Sequence, residues 1–189
     1  MTLTTHKSAE QLQDEKQLIL NAQDNPKAFE PLYNAYFESI FRFVYQRVDQ
    51  KTEASDITQQ VFLKALCSLK SFRFKDVPFS AWLYRIAINE ISSYYSLSKK
   101  NRIVSADITK LLNIVEDTGS ENKEEQLERI TRCLTTLNSN DLLLIEMRFF
   151  EQISFKEIGE ILKITENNAK VKLYRVVDKI KEKVNAFTI

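Results

Sequence analysis

The chain has 189 residues, enough for one ordinary domain or two small ones, and 27 Lys and Arg nearly balance 26 Asp and Glu. Glycine occurs twice and proline three times, so β-turns and Rossmann-type loops are poorly supplied and the chain reads as all-α. Two distant glycines exclude a glycine-rich phosphate loop or a nucleophile elbow, and one histidine with two cysteines cannot assemble a usual metal site.

No enzyme activity and no cofactor are therefore expected. Cys67 and Cys133 lack a Cys-x-x-Cys spacing and sit among apolar residues, which predicts reduced thiols used as small core residues in a cytoplasmic protein. The first residues lack the apolar core of a signal peptide, and no run approaches the ~20 apolar residues of a membrane span.

In chain order, a short amphipathic piece (Leu18, Ile19, Ala22) precedes Asn25-Pro26, a cap followed by proline at a first helical position. Phe29, Leu32, Tyr33, Tyr36, Phe37, Ile40, Phe41, Val44, Tyr45 and Val48 then trace a wide apolar stripe, with the regular helix starting near Pro31. A second helix, roughly Glu53 to Leu69, buries Ile57, Val61, Ala65, Leu66 and Leu69, leaving Asp56, Gln59 and Gln60 outward. The pattern breaks at Pro78, and Phe79 to Tyr95 form an aromatic-rich helix. Within it Phe79, Leu83, Ile86 and Ala87 read as core, while Tyr84, Arg85, Asn89, Ser93 and Tyr94 suit an exposed face for unpaired nucleic acid.

Residues 104–128 hold seven acids against two bases, around Gly119-Ser120. They read as a flexible acidic linker between two small helical domains, giving domain 1–98, linker 99–126 and domain 127–189.

The C-terminal domain carries the clearest motif. Ser154 and Glu157 make a capping box for a helix from Phe155 to about Leu162, with Gly159 where a second helix can cross closely. After a turn at Lys163-Ile164, Thr165 caps a longer helix, and the unit reads as a helix-turn-helix. Residues 163–183 contain seven bases and three acids, a local charge of +4. Ala169, Leu173, Val176, Val177 and Ile180 form the buried stripe, which leaves Asn167, Asn168, Lys170, Lys172 and Arg175 to meet bases and phosphates.

From Leu18 onward the chain resembles the extracytoplasmic-function (ECF) group of bacterial RNA polymerase sigma factors. AFEPLYNAYFESIFRFVYQRV is similar to the opening helix of sigma region 2, and ASDITQQVFLKAL to its polymerase-binding segment. FSAWLYRIAIN looks like the promoter-melting segment, and the helix-turn-helix like region 4. The resemblance implies that Asp56, Gln59, Gln60, Phe62 and Leu63 face the β′ clamp helices of core RNA polymerase, with further contact to the β subunit. It implies minus-ten contacts from Tyr84, Arg85, Asn89, Ser93 and Tyr94, with Asn89 holding an extruded base, and minus-35 contacts from Asn167, Asn168, Lys170, Lys172 and Arg175. The linker would thread the polymerase, and an anti-sigma factor is among the partners the resemblance admits.

Three departures from the family pattern stand out: ISSYYSLSKKNR soon follows Asn89 where an Asp and several Arg are common, Lys163 occupies a turn position where glycine is common, and Leu137-Asn138 replaces a frequent Leu-Pro. A helix-turn-helix repressor or activator is the alternative reading. It leaves the segments around Asp56 and Asn89 without a role.

Overall fold

The computed structural model describes residues 7–48, 50–75, 77–98, 111 and 123–186. Among them all regular structure is helical, with no strand. They fall largely into two compact units, one over residues 7–98 and the other within residues 111–186. Most of the acidic linker, and with it the expected flexibility, lies outside the described residues. Its last part does not: a helix begins at Lys123.

The first unit contains α1 (Ala9–Asp24), α2 (Glu30–Tyr45), α3 (Lys51–Ser68) and α4 (Phe79–Ser98). The short amphipathic piece is longer than its apolar residues suggest, because Ser8 and Gln11 form a full capping box at its start. Asn25 caps a single 3₁₀ turn, Pro26–Phe29, and α2 follows directly with Pro31 in its first turn. Ile40, Phe43, Val44, Val61, Ala65, Leu83 and Ala87 close the centre of the unit. Phe79 sits edge-on to Phe29 and Phe72, with Trp82 half-buried beside both Phe72 and Phe79. Burying one such ring is worth about 1.5–3 kcal/mol. Ile86, read as core, is only half-buried.

A buried acid ties three helices together. Glu15 is 3% exposed; its Oε1 accepts from the Lys7 ammonium (2.6 Å) and the Tyr36 hydroxyl, and its Oε2 from the Phe79 backbone N–H (2.9 Å). The last bond matters most. It places a carboxylate on an otherwise orphaned donor at the positive end of α4. Replacing Glu15 with Ala removes the one carboxylate that serves the Phe79 N–H, the Tyr36 hydroxyl and the Lys7 ammonium, so urea denaturation is expected to show a loss of about 3 kcal/mol. An unchanged midpoint would contradict this role.

The second unit contains α5 (Lys123–Thr135), α6 (Ser139–Ile145), α7 (Phe155–Leu162) and α8 (Glu166–Ala186). Asn138 has a structural use: its side chain accepts the Asp141 N–H at 2.9 Å and caps α6. A π turn, Glu146–Phe150, follows α6, and Gln152 reverses the chain with φ 55°. Ile130, Leu134, Ile145, Met147, Ile158, Leu173 and Ile180 form the core. Cys133 is buried there as expected, and burial pushes its thiol up despite the opposing pull of Lys183. Cys67 departs from the core reading. It lies exposed on α3, because the residue next to a buried position can fall on the solvent face.

Candidate nucleic-acid interface

The helix-turn-helix is built by three local devices. Ser154 Oγ accepts the Glu157 N–H (3.2 Å) while the Glu157 carboxylate accepts the Ser154 N–H (3.1 Å), fixing the start of α7. Lys163 ends α7 in the left-handed region at φ 56° and ψ 43°, which lets the Ile164 N–H return to the Gly159 carbonyl at 2.9 Å. Thr165 Oγ1 then accepts the Asn168 N–H at 3.2 Å and opens α8.

Gly159 is the tight point. A Cβ built there would lie 2.8 Å from the Ile164 carbonyl oxygen and 3.2 Å from the Glu166 nitrogen. Lys163 is the strained point, since a side chain disfavours its conformation. Replacing Lys163 with Gly is expected to raise the stability of this unit by about 1 kcal/mol, seen as a higher thermal midpoint. A lower midpoint would show that the lysine side chain matters more than the backbone.

On α8, Asn167, Asn168, Lys170, Lys172 and Arg175 are all exposed, and Ala169, Leu173, Val176, Val177 and Ile180 are buried, as the spacing predicts. The local charge of +4 overstates what a ligand meets. Lys179 is paired with Asp141 at 3.1 Å, and Lys183 donates to Thr136 Oγ1, so both brace the fold. The cations offered to solvent cluster near the start of the helix, at Lys170, Lys172 and Arg175. Sequence reading passed over Val171 and Tyr174, which share that exposed face. Their signal was present: apolar residues out of phase with the buried stripe, set among cations.

On α4, Asn89 and Ser93 are exposed and Arg85 is half-buried, so positions i, i+4 and i+8 form one stripe. Tyr94 is half-buried and packs edge-on to Tyr95 at 5.3 Å between ring centroids. Tyr84 does not join them. It is 3% exposed and its ring meets Phe43 edge-on at 4.9 Å, because one residue from Arg85 is a turn of about 100° toward the core.

On α3, Asp56, Gln59 and Gln60 are exposed, and Leu63 is 52% exposed, so these four share the solvent side. Phe62 is the exception. It is 3% exposed and surrounded by Phe29, Tyr33 and Phe37, an aromatic core position rather than a contact for a partner. Lys64 reaches both carboxylate oxygens of Glu90 at 2.7 Å and joins α3 to α4. The polar faces of the two helices are thus held in one unit.

Comparison with known proteins gives a consistent picture. The family model for sigma-70 region 2 matches residues 32–101, and that for sigma-70 region 4 matches residues 127–180. The chain is 28% identical over 152 residues to the ECF RNA polymerase sigma factor BldN of Streptomyces coelicolor, covering 79% of this chain but only 58% of that relative. It is 26% identical over 156 residues to the ECF RNA polymerase sigma factor SigM of Bacillus subtilis, covering 82% of this chain and 93% of that protein. Among solved structures, the sigma factor RpoE in complex with the anti-sigma factor NepR from Bartonella quintana shares the fold. There the TM-score is 0.53 at 17% identity, over 84% of this chain and 98% of that one.

Proposed function

This chain belongs to the extracytoplasmic-function (ECF) group of bacterial RNA polymerase sigma factors, and on that premise we propose how its residues divide the work of initiation. Sigma factors are not enzymes. They bind core RNA polymerase and direct promoter-specific initiation, while the polymerase supplies the phosphodiester chemistry.

In this division Asp56, Gln59, Gln60 and Leu63 contact the β′ clamp helices. Arg85, Asn89, Ser93 and Tyr94 line the unpaired minus-ten strand, and Asn167, Asn168, Lys170, Lys172 and Arg175 read the minus-35 element. Residues 1–98 act as region 2, residues 99–126 as the linker and residues 127–189 as region 4. One observation carries these assignments: on α3, α4 and α8 the polar residues named here lie at the surface or half-buried, above an apolar core. Phe62 and Tyr84 are core residues and take no part.

No helix among the described residues is long and apolar enough to cross a membrane. A cytoplasmic location and control by an anti-sigma factor belong to the same reading. Its test is reconstitution: the purified chain should co-migrate with core polymerase and make transcription promoter-dependent. Specific binding of duplex DNA without polymerase, and no effect on core enzyme, would favour a repressor instead.

The exposed amide of Asn89 offers two donors and an acceptor to an unpaired base edge. Asn89→Ala is expected to leave core binding and upstream footprints intact and to slow open-complex formation about tenfold, roughly the worth of one or two hydrogen bonds. Permanganate reactivity of unpaired thymines measures this. Normal opening with unaltered minus-ten preference would reject the role.

A further inference from the structure

α8 exposes two apolar side chains that the core does not use. Val171 is 39% exposed and Tyr174 53%, whereas Leu173 between them is 2% exposed. Valine gains little on an open helix face, because β-branching restricts its rotamers there. Three residues apart, the two lie within about 60° of one another around the helix and form a single patch. Lys170 Nζ lies 5.9 Å from the centroid of the Tyr174 ring, a cation–π approach that steadies the ring.

The surroundings select the partner. Exposed Asn167, Asn168, Lys170, Lys172 and Arg175 fringe the patch, and no carboxylate occurs between Glu166 and Asp178. An apolar protein surface would have to desolvate three cations, whereas a polyanion neutralises them. In the major groove of duplex DNA, the apolar group on a base edge is the 5-methyl of thymine. The first ten residues of α8 span about 15 Å, comparable with a groove about 12 Å wide.

We propose that Val171 and Tyr174 form an apolar reading edge for thymine methyl groups in the upstream promoter element. This rests on the reading of α8 as the minus-35 helix, and adds to it the group that is read and the residues that read it. The amides and cations set register on bases and phosphates. The apolar pair discriminates thymine from cytosine at the positions it covers.

The test uses holoenzyme reconstituted from the full chain and core polymerase, with an upstream duplex selected from a randomised library. Each thymine of that element, on either strand, is replaced singly by uracil, which removes only the methyl group. Wild-type holoenzyme is expected to lose about three- to fivefold in affinity at one or two positions, as for burial of a single methyl. Val171→Ala and Tyr174→Ala, both exposed and expected to keep the wild-type thermal midpoint, should bind the thymine and uracil duplexes alike at those positions. With an upstream footprint present, a selected element without thymine, no uracil effect, or the full effect persisting in both variants would overturn this inference alone. A holoenzyme that leaves no upstream footprint would overturn the groove reading as well.

Discussion

Replacing Gly159 with Ala is expected to disable the helix-turn-helix while sparing the unit of residues 7–98. The new Cβ would meet the Ile164 carbonyl oxygen at 2.8 Å and the Glu166 nitrogen at 3.2 Å. Both are backbone atoms of the turn, so no side chain can swing aside to relieve the contact. Relief requires α7 and α8 to part, and that lengthens the 2.9 Å bond from the Ile164 N–H to the Gly159 carbonyl. Overpacking of this kind costs about 1–3 kcal/mol, and losing the turn bond adds about another 1 kcal/mol. For a unit of this size that lowers the thermal midpoint by about 10 °C or more. The functional loss is expected to exceed the thermal one, because the α8 residues proposed to read the minus-35 element depend on the angle this turn sets. Upstream footprints should disappear at temperatures where the chain is still folded, while co-migration with core polymerase persists. A wild-type midpoint with a wild-type footprint would show that the turn can yield.

What the sequence made legible was periodic or local. The stripes of α2, α3 and α8, the Ser154 capping box and the Thr165 cap all depend on residues within a few positions of each other, where one helix geometry fixes the outcome. Long-range polar contacts were not legible. Glu15 looks like any surface acid of a helix, since the groups that bury it lie 8, 21 and 64 positions away. The same reason hides the use of Lys179 and Lys183, whose partners are in α6 and just beyond α5. Phe62 and Tyr84 failed for a different reason. Each belongs to a short motif whose other members lie at the surface or half-buried, and reading the motif as a block ignores the rotation of about 100° per residue. Two signals were in plain view and were underused. Ser8 with Gln11 marks the true start of α1, and the out-of-phase Val171 and Tyr174 mark the face of α8 that has no core to meet.

Substituting Asp56 and Gln60 together by Lys is expected to abolish assembly with core polymerase without unfolding the protein. The two positions are one helical turn apart on α3, both exposed, and the buried residues beside them, Ile57 and Val61, are untouched. The next residue along that line is Lys64, already bound to Glu90 at 2.7 Å. The double variant therefore sets three cations in a row, at a cost to the helix of a few tenths of a kcal/mol per neighbouring pair. Surface changes of this kind rarely shift stability by more than about 0.5 kcal/mol, so helical content and urea midpoint should stay near wild type. Binding responds differently. A surface that offered a carboxylate and amides to the clamp helices would offer two ammonium groups, and misplaced charge at an interface costs about 2–5 kcal/mol. That corresponds to a loss of about thirtyfold to several thousandfold in affinity. Gel filtration with core polymerase reads the loss directly, and promoter-dependent transcription should vanish in parallel. A variant that is folded and still assembles would remove α3 from the polymerase interface. Partial assembly restored at high salt would instead mark the new charges as the cause, since screening weakens repulsion between exposed groups but cannot rebuild a lost shape.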